Sequence, residues 1–167
     1  MIKKAWQKFI ASGAVAAVMS TAASASCVSV EELRADQVRF LDMQLRVAAL
    51  QCRNRGNGFP GLYNAFALTH KKSIQASRMP VEQYLARLSH INMDGYTTQL
   101  ANRLSFESIK VKNFCEEAAL SAVFMVELAD PLDGLDLMPI NYSAPRGMCA
   151  DTAMFLGESR LGPATLR

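Results

Sequence analysis

SVEELRADQVRFLDMQLRVAALQCR, residues 29–53, decides the fold class. Ser29 followed by Glu32 is a capping-box pattern, in which a hydroxyl and a carboxylate satisfy the free amides at a helix start. From there apolar residues recur at helical spacing. Leu33, Leu41, Leu45, Ala48 and Cys52 form an inward stripe that Phe40 and Val47 widen. The segment predicts a long amphipathic helix with Cys52 facing the core. RNRGNGFPG, residues 53–61, then supplies three glycines and a proline, which end the helix in a loop.

Three more helical runs follow. Residues 62–77 carry Leu62, Tyr63, Phe66 and Ile74 on one side, with His70 on the same stripe. Pro80 suits the first turn of a third helix that turns Val81, Tyr84, Leu85 and Leu88 inward and stops near Asn92. Asp94 and Gly95 make a break and a cap for the next run. Residues 94–128 repeat Leu100, Leu104, Ser108, Val111, Cys115, Ala118, Ala122 and Met125 at three- and four-residue intervals. One straight helix of that length would reach about 50 Å. A domain of this size has a radius of gyration of only about 14–15 Å, so a bend is expected near residues 105–108. The last 39 residues, 129–167, hold Pro131, Pro139, Pro145 and Pro163, and regular structure there should be short. Their apolar patch, Leu135, Leu137, Met138 and Ile140, is expected to cover an open side of the bundle. The reading is a single all-α, disulfide-stapled helical bundle of four or five helices over residues 26–128, with an irregular C-terminal segment packed on it.

The chain opens with a leader. MIKKAWQKFIASGAVAAVMSTAASAS has a basic start at Lys3, Lys4 and Lys8, an apolar run from Phe9 to Met19, and small residues at its end. Ala23 and Ala25 occupy the small-residue positions of a signal-peptidase site, so residues 1–25 are read as a signal peptide and Ser26 as the mature start. The apolar run is shorter than the roughly 20 residues a spanning helix needs, which leaves no permanent transmembrane segment after processing. Ser24 stands where a lipobox before Cys27 requires an aliphatic residue. Loss of three leader lysines turns 18 basic against 15 acidic residues into 15 against 15. A formally neutral protein lacks the basic excess of a nucleic-acid binder.

All four cysteines, Cys27, Cys52, Cys115 and Cys149, lie beyond the cleavage point. An even number in an oxidising compartment argues for disulfides, and their spacing excludes a CxxC redox centre, a haem attachment and a zinc ribbon. Four cysteines allow three pairings. Periodicity places Cys52 and Cys115 on the inward stripes of two long helices, which favours a bond between them and leaves Cys27 with Cys149.

LRVAALQC (45–52), LYNAF (62–66), LANRLS (100–105) and FCEEA (114–118), taken together, resemble a set of small secreted helical proteins of alphaproteobacteria. Those proteins carry a leader, an AALxC-like helix end, a YNxF-like second helix and a late FC. The resemblance covers roughly residues 30–125 and implies a helical periplasmic domain with a bond between Cys52 and Cys115. It brings no established activity with it, and the loop at residues 56–61 and the tail with Cys149 lie outside it.

Candidate chemistry is sparse. His70 shares a stripe with Tyr63, but a histidine there reads first as a core-edge residue with satisfied ring nitrogens. His90 and Asp94 lie four apart across a helix break and make no zinc site alone. Glu127, Asp130, Asp133 and Asp136 crowd around DPLDGLD without the alternate spacing of an EF-hand, and read as a solvated acidic loop. Glu116 or Glu117 offers a carboxylic acid for glycan chemistry, which needs a second carboxylate that the sequence does not identify. His70, Lys71, Lys72 and Arg78 read as a solvated basic face. Asn141-Tyr142-Ser143 matches a glycosylation triplet that a bacterial leader makes idle. GxSxG, HExxH, P-loop and GxGxxG patterns do not occur. No catalytic, cofactor or metal residue is assigned. The expectation is an exported protein, periplasmic or secreted, with a structural, binding or assembly role toward an envelope protein or cell-wall component. Its alternatives are an envelope enzyme acting on peptidoglycan or another glycan, and a small-ligand carrier whose nine methionines give adaptable packing.

Overall fold

A computed structural model describes residues 27–55, 58–88 and 91–154. The expected leader, His90 and the end of the tail lie outside the described residues. Six α-helices occur in chain order: α1 (Val30–Gln51), α2 (Phe59–Thr69), α3 (Lys71–Ala76), α4 (Arg78–Leu88), α5 (Met93–Ser108) and α6 (Phe114–Glu127). A 3-10 helix, Pro131–Leu137, follows, and the chain is helical again over residues 150–154, where the described residues end. The all-α bundle is as expected, with more and shorter helices.

The capping box forms as read. Glu32 N–H donates to Ser29 Oγ at 3.3 Å, and Ser29 N–H donates to Glu32 Oε2 at 3.0 Å. The helix that this cap opens has no single wet face. Its expected stripe is buried, and Glu32, Asp36, Gln37, Asp42 and Gln44 are buried with it. The other five α-helices and the 3-10 helix all pack against α1, which is the axis of the bundle. Its C-terminal half, Phe40 to Cys52, meets Phe59, Phe66, Leu104, Phe114, Ala118, Ala122 and Met125 in the main core. Its N-terminal turns meet Val28, Val81, Tyr84 and Leu85 in a smaller one.

Two expected boundaries shift for tertiary reasons, and a third break falls where it was expected. The second helix begins at Phe59, because this ring is fully buried and Gly58, at φ +64°, turns the chain into it. Pro60 fits there because the first turn has no intrahelical use for its missing N–H. That helix also divides at His70, whose buried ring reaches the Met125 carbonyl. The long fourth run breaks after Ser108, at the end of the expected stretch, and resumes at Phe114 beyond Asn113 in the left-handed conformation at φ +57°. Beside the break, the Ser108 hydroxyl lies 2.7 Å from Gln51 Oε1 and 2.8 Å from the Ser105 carbonyl, tying the turn to the end of α1.

The two disulfides are Cys52–Cys115 and Cys27–Cys149. The first joins the end of α1 to the first turn of α6. The second closes the N-terminal stretch onto the tail, where Val28 N–H donates to the Gly147 carbonyl at 2.8 Å and Cys149 N–H to the Val28 carbonyl at 3.0 Å. Within the C-terminal patch, Met138 and Ile140 are buried, whereas Leu137 is exposed. Gly134 packs directly on α6, since a Cβ there would collide with Met125 Sδ. Among the described residues no helix is long and apolar enough to cross a membrane.

Cys52–Cys115 spans 63 residues of sequence. In the chain-entropy account a loop of that size raises stability by roughly 4 kcal/mol. Replacing both cysteines by alanine should therefore lower the unfolding free energy by about that amount in urea titrations of the oxidised protein. An unchanged midpoint would show that the bond does not constrain the unfolded chain.

Candidate functional site

Every polar side chain that α1 carries inward loses water, and each needs a partner to offset that loss. Glu32 receives Arg87 of α4 at 2.7 and 2.9 Å. Burial pushes its pKa up, but the hydrogen bonds from Arg87 and Ser29 outweigh burial and hold it below the usual carboxylate value. Gln44 pairs with the backbone of Ile140, donating to its carbonyl at 3.0 Å and accepting its N–H at 2.8 Å. Asp42 accepts from Arg46 at 2.9 Å and from the Tyr63 hydroxyl at 3.1 Å. Arg39 Nε is buried with no hydrogen-bond partner among the described residues.

Asp36 is the exceptional member. It has 6% of its surface exposed and accepts three phenolic hydroxyls: Tyr84 and Tyr96 on Oδ1, both at 2.7 Å, and Tyr142 on Oδ2 at 2.5 Å. These come from α4, from α5 and from the tail beyond the 3-10 helix. Tyr142 is further fixed by an edge-on contact with Phe40, ring centroids 5.3 Å apart. Burial first, then the Asp36 charge, then its hydrogen bond push the Tyr84 phenol far above the ordinary tyrosine pKa. Tyr142 is raised by the same causes in the same order. Tyr96 is raised by burial, then by Asp36 and by its neighbour Tyr84. Each phenol therefore keeps its proton and acts as a fixed donor. A carboxylate offers about four acceptor positions, so one on Asp36 remains.

Above this cluster lies a cleft of about 470 Å³. Asp36, Tyr84 and Tyr96 contribute to it, Phe40 and Leu100 give it apolar surface, and Gln99 and Arg103 of α5 line it together with Ser143 to Arg146 of the tail. A space of this size suits a small molecule or one side chain of a partner. Chemically it offers a carboxylate with one acceptor position left at one end and two guanidinium groups.

The expected candidates go elsewhere. His70 is buried, packs on Phe66 and makes a 2.7 Å hydrogen bond with the Met125 carbonyl. Since a carbonyl only accepts, Nε2 carries the proton, and the ring is a core fastener separate from Tyr63. The Asp94 carboxylate lies in the first turn of α5. Asp130 caps the 3-10 helix through Leu132 N–H and pairs with Arg34 at 2.8 Å, while Glu127, Asp133 and Asp136 are exposed. Among the described residues no group of three or more His, Cys, Asp or Glu is disposed to hold a metal ion. Glu116 and Glu117 are exposed side by side in the first turn of α6. Lys71 and Lys72 are exposed, but Arg78 pairs with Glu82 and His70 is inside. Tyr142, inside the glycosylation triplet, is spent on Asp36.

The tyrosine cluster is what sequence reading missed. A signal existed: Asp36 lies three residues after Leu33 and four before Phe40, on the apolar stripe itself. An acid on an inward stripe requires donors, and helical spacing turns Tyr84 inward as well. Comparison with known proteins gives no match, whether to a family model, a curated protein or a solved structure.

Asp36→Ala leaves three buried hydroxyls without their acceptor and should cost at least about 3 kcal/mol, whereas Tyr142→Phe should cost about 1.5–3. Urea unfolding of both variants reads this, and an Asp36→Ala protein as stable as the parent would sink the account. The raised phenols also fix a pH dependence. Folded tyrosines hold protons that unfolded ones release, so their stabilisation is complete below the ordinary tyrosine pKa of about 10 and is lost as pH rises beyond it. Tyrosinate absorbance should accordingly appear together with unfolding in an alkaline titration. Ionisation of most tyrosines near pH 10 in a folded chain would contradict the buried network.

Proposed function

We propose that this chain is an exported binding module of a bacterial cell envelope, related to the secreted helical proteins of alphaproteobacteria that its motifs resemble. The observation that carries the reading is the cleft over Asp36, where a carboxylate locked by three phenols underlies an arginine-bearing space. Rigid phenol donors are suited to holding a ligand in one geometry, because burial and the Asp36 charge keep all three protonated. The two disulfides support export, since such bonds persist in oxidising compartments. The basic, apolar and small-residue pattern of residues 1–25 supports the same route.

Glycan hydrolysis through Glu116 or Glu117 receives less support, because both sit on one exposed turn whereas that chemistry needs carboxyls on opposite sides of a bond. Expression of the full chain in a Gram-negative host tests the export reading directly. Osmotic shock should release a form whose intact mass corresponds to a start at Ser26 with all four cysteines oxidised. A full-length, reduced chain retained in the cytoplasm would overturn it.

A further inference from the structure

We propose that the cleft over Asp36 binds a small organic oxyanion, a carboxylate or a phosphate ester, gripped between Arg103 and Arg146. The inference rests on the binding-module reading and deepens it. Arg34, Arg46, Arg78 and Arg87 are each committed to a carboxylate of the chain itself. Arg103 and Arg146 are not: both are exposed, both line the same cleft, and neither has a hydrogen bond or ion pair among the described residues. Guanidinium groups match carboxylate and phosphate oxygens through paired N–H donors, and they are less strongly hydrated than ammonium groups. Two of them outweigh the one negative charge of Asp36, so the cleft carries a net positive charge.

The rest of the lining narrows the ligand. Phe40, Leu100 and Pro145 give apolar surface that a bare inorganic ion would leave uncovered. The remaining acceptor position on Asp36 favours a ligand that also carries an N–H or O–H. The two arginines stand on supports of different kinds. Arg103 rides on α5, which Tyr96 fastens to Asp36. Arg146 precedes Gly147, whose φ of +80° turns the chain and whose carbonyl accepts from Val28 N–H beside the Cys27–Cys149 bond. Both guanidinium groups therefore project from braced backbone.

The protein supplies its own reporter. Its single tryptophan, Trp6, belongs to the expected leader, and three of its four tyrosines surround Asp36. Tyrosine emission of the oxidised chain from Ser26 therefore reads the cleft. Titrations with glycerol 3-phosphate and with N-acetyl-alanylalanine, against its uncharged C-terminal amide, should give a saturable change with at least one anion and none with the amide. A response to the phosphate ester alone assigns a phosphorylated ligand, one to the peptide acid alone assigns a peptide carboxylate, and both assign the shared oxyanion chemistry. Arg103→Gln and Arg146→Gln should each weaken the responsive anion by about tenfold or more. Their urea midpoints should stay at the parental value, because neither arginine is paired among the described residues. Silence toward both anions, or an undiminished response in the double variant, would overturn the assignment. Correct export of such a silent protein would leave the export reading standing and separate the two failures.

Discussion

A buried carboxylate is the constraint on which the rest of this fold depends. Asp36 sits in the second turn of a helix that is enclosed on nearly all sides, where an ion without partners would cost several kcal/mol. Its donors lie 48, 60 and 106 residues further along the chain. Satisfying it therefore requires α4, α5 and the C-terminal segment to dock at once and in one register. Hydrophobic burial drives collapse onto α1, but apolar contacts tolerate sliding, and three hydroxyls on two oxygens do not.

The same logic repeats along α1 with different chemistry. Near its start, Glu32 takes a full ion pair from α4 while also serving the cap, where the helix dipole favours an acid. Asp42 shares Arg46 with its own helix and Tyr63 with α2. Further along, Gln44 makes a two-way amide pair with Ile140, as one strand would with another, and so fixes the tail without placing any charge inside. The axis helix thus carries a separate polar fastener for each of several elements packed around it. The disulfides act differently, because they limit the unfolded chain more than they select a register.

Legibility in the sequence followed the range of the interaction responsible. The capping box at Ser29 and Glu32 is a contact across three residues, and α1 starts where that pattern puts it. Periodicity puts Cys52 and Cys115 on facing stripes, and their bond is present with Cys27–Cys149 beside it. Where α2 divides, the cause is a hydrogen bond from His70 to a carbonyl 55 residues away, which no local pattern records. Phe59 enters α2 because the core captures its ring, overriding loop signals on both sides of it. Asp36 was readable only as an anomaly, an acid on an apolar stripe. Tyr96 and Tyr142 gave no sign that they answer it, since their separation in sequence carries no information about docking.

The position of the cleft is a consequence of this arrangement. Three phenols can converge on one carboxylate only if the segments bearing them approach from different sides, and bulky rings meeting at a point leave space next to it. Arg103 and Arg146 border that space without any role in closing the core, whereas Asp36 and its tyrosines are bound to both tasks. Substitution at the acid should therefore disturb fold and cleft together, while substitution at the two arginines should alter the cleft alone. The segment that presents Arg146 is held by the backbone hydrogen bonds of Val28 with Gly147 and Cys149 beside the Cys27–Cys149 bond, so this side of the cleft is set by the chain termini closing on each other and not by the core.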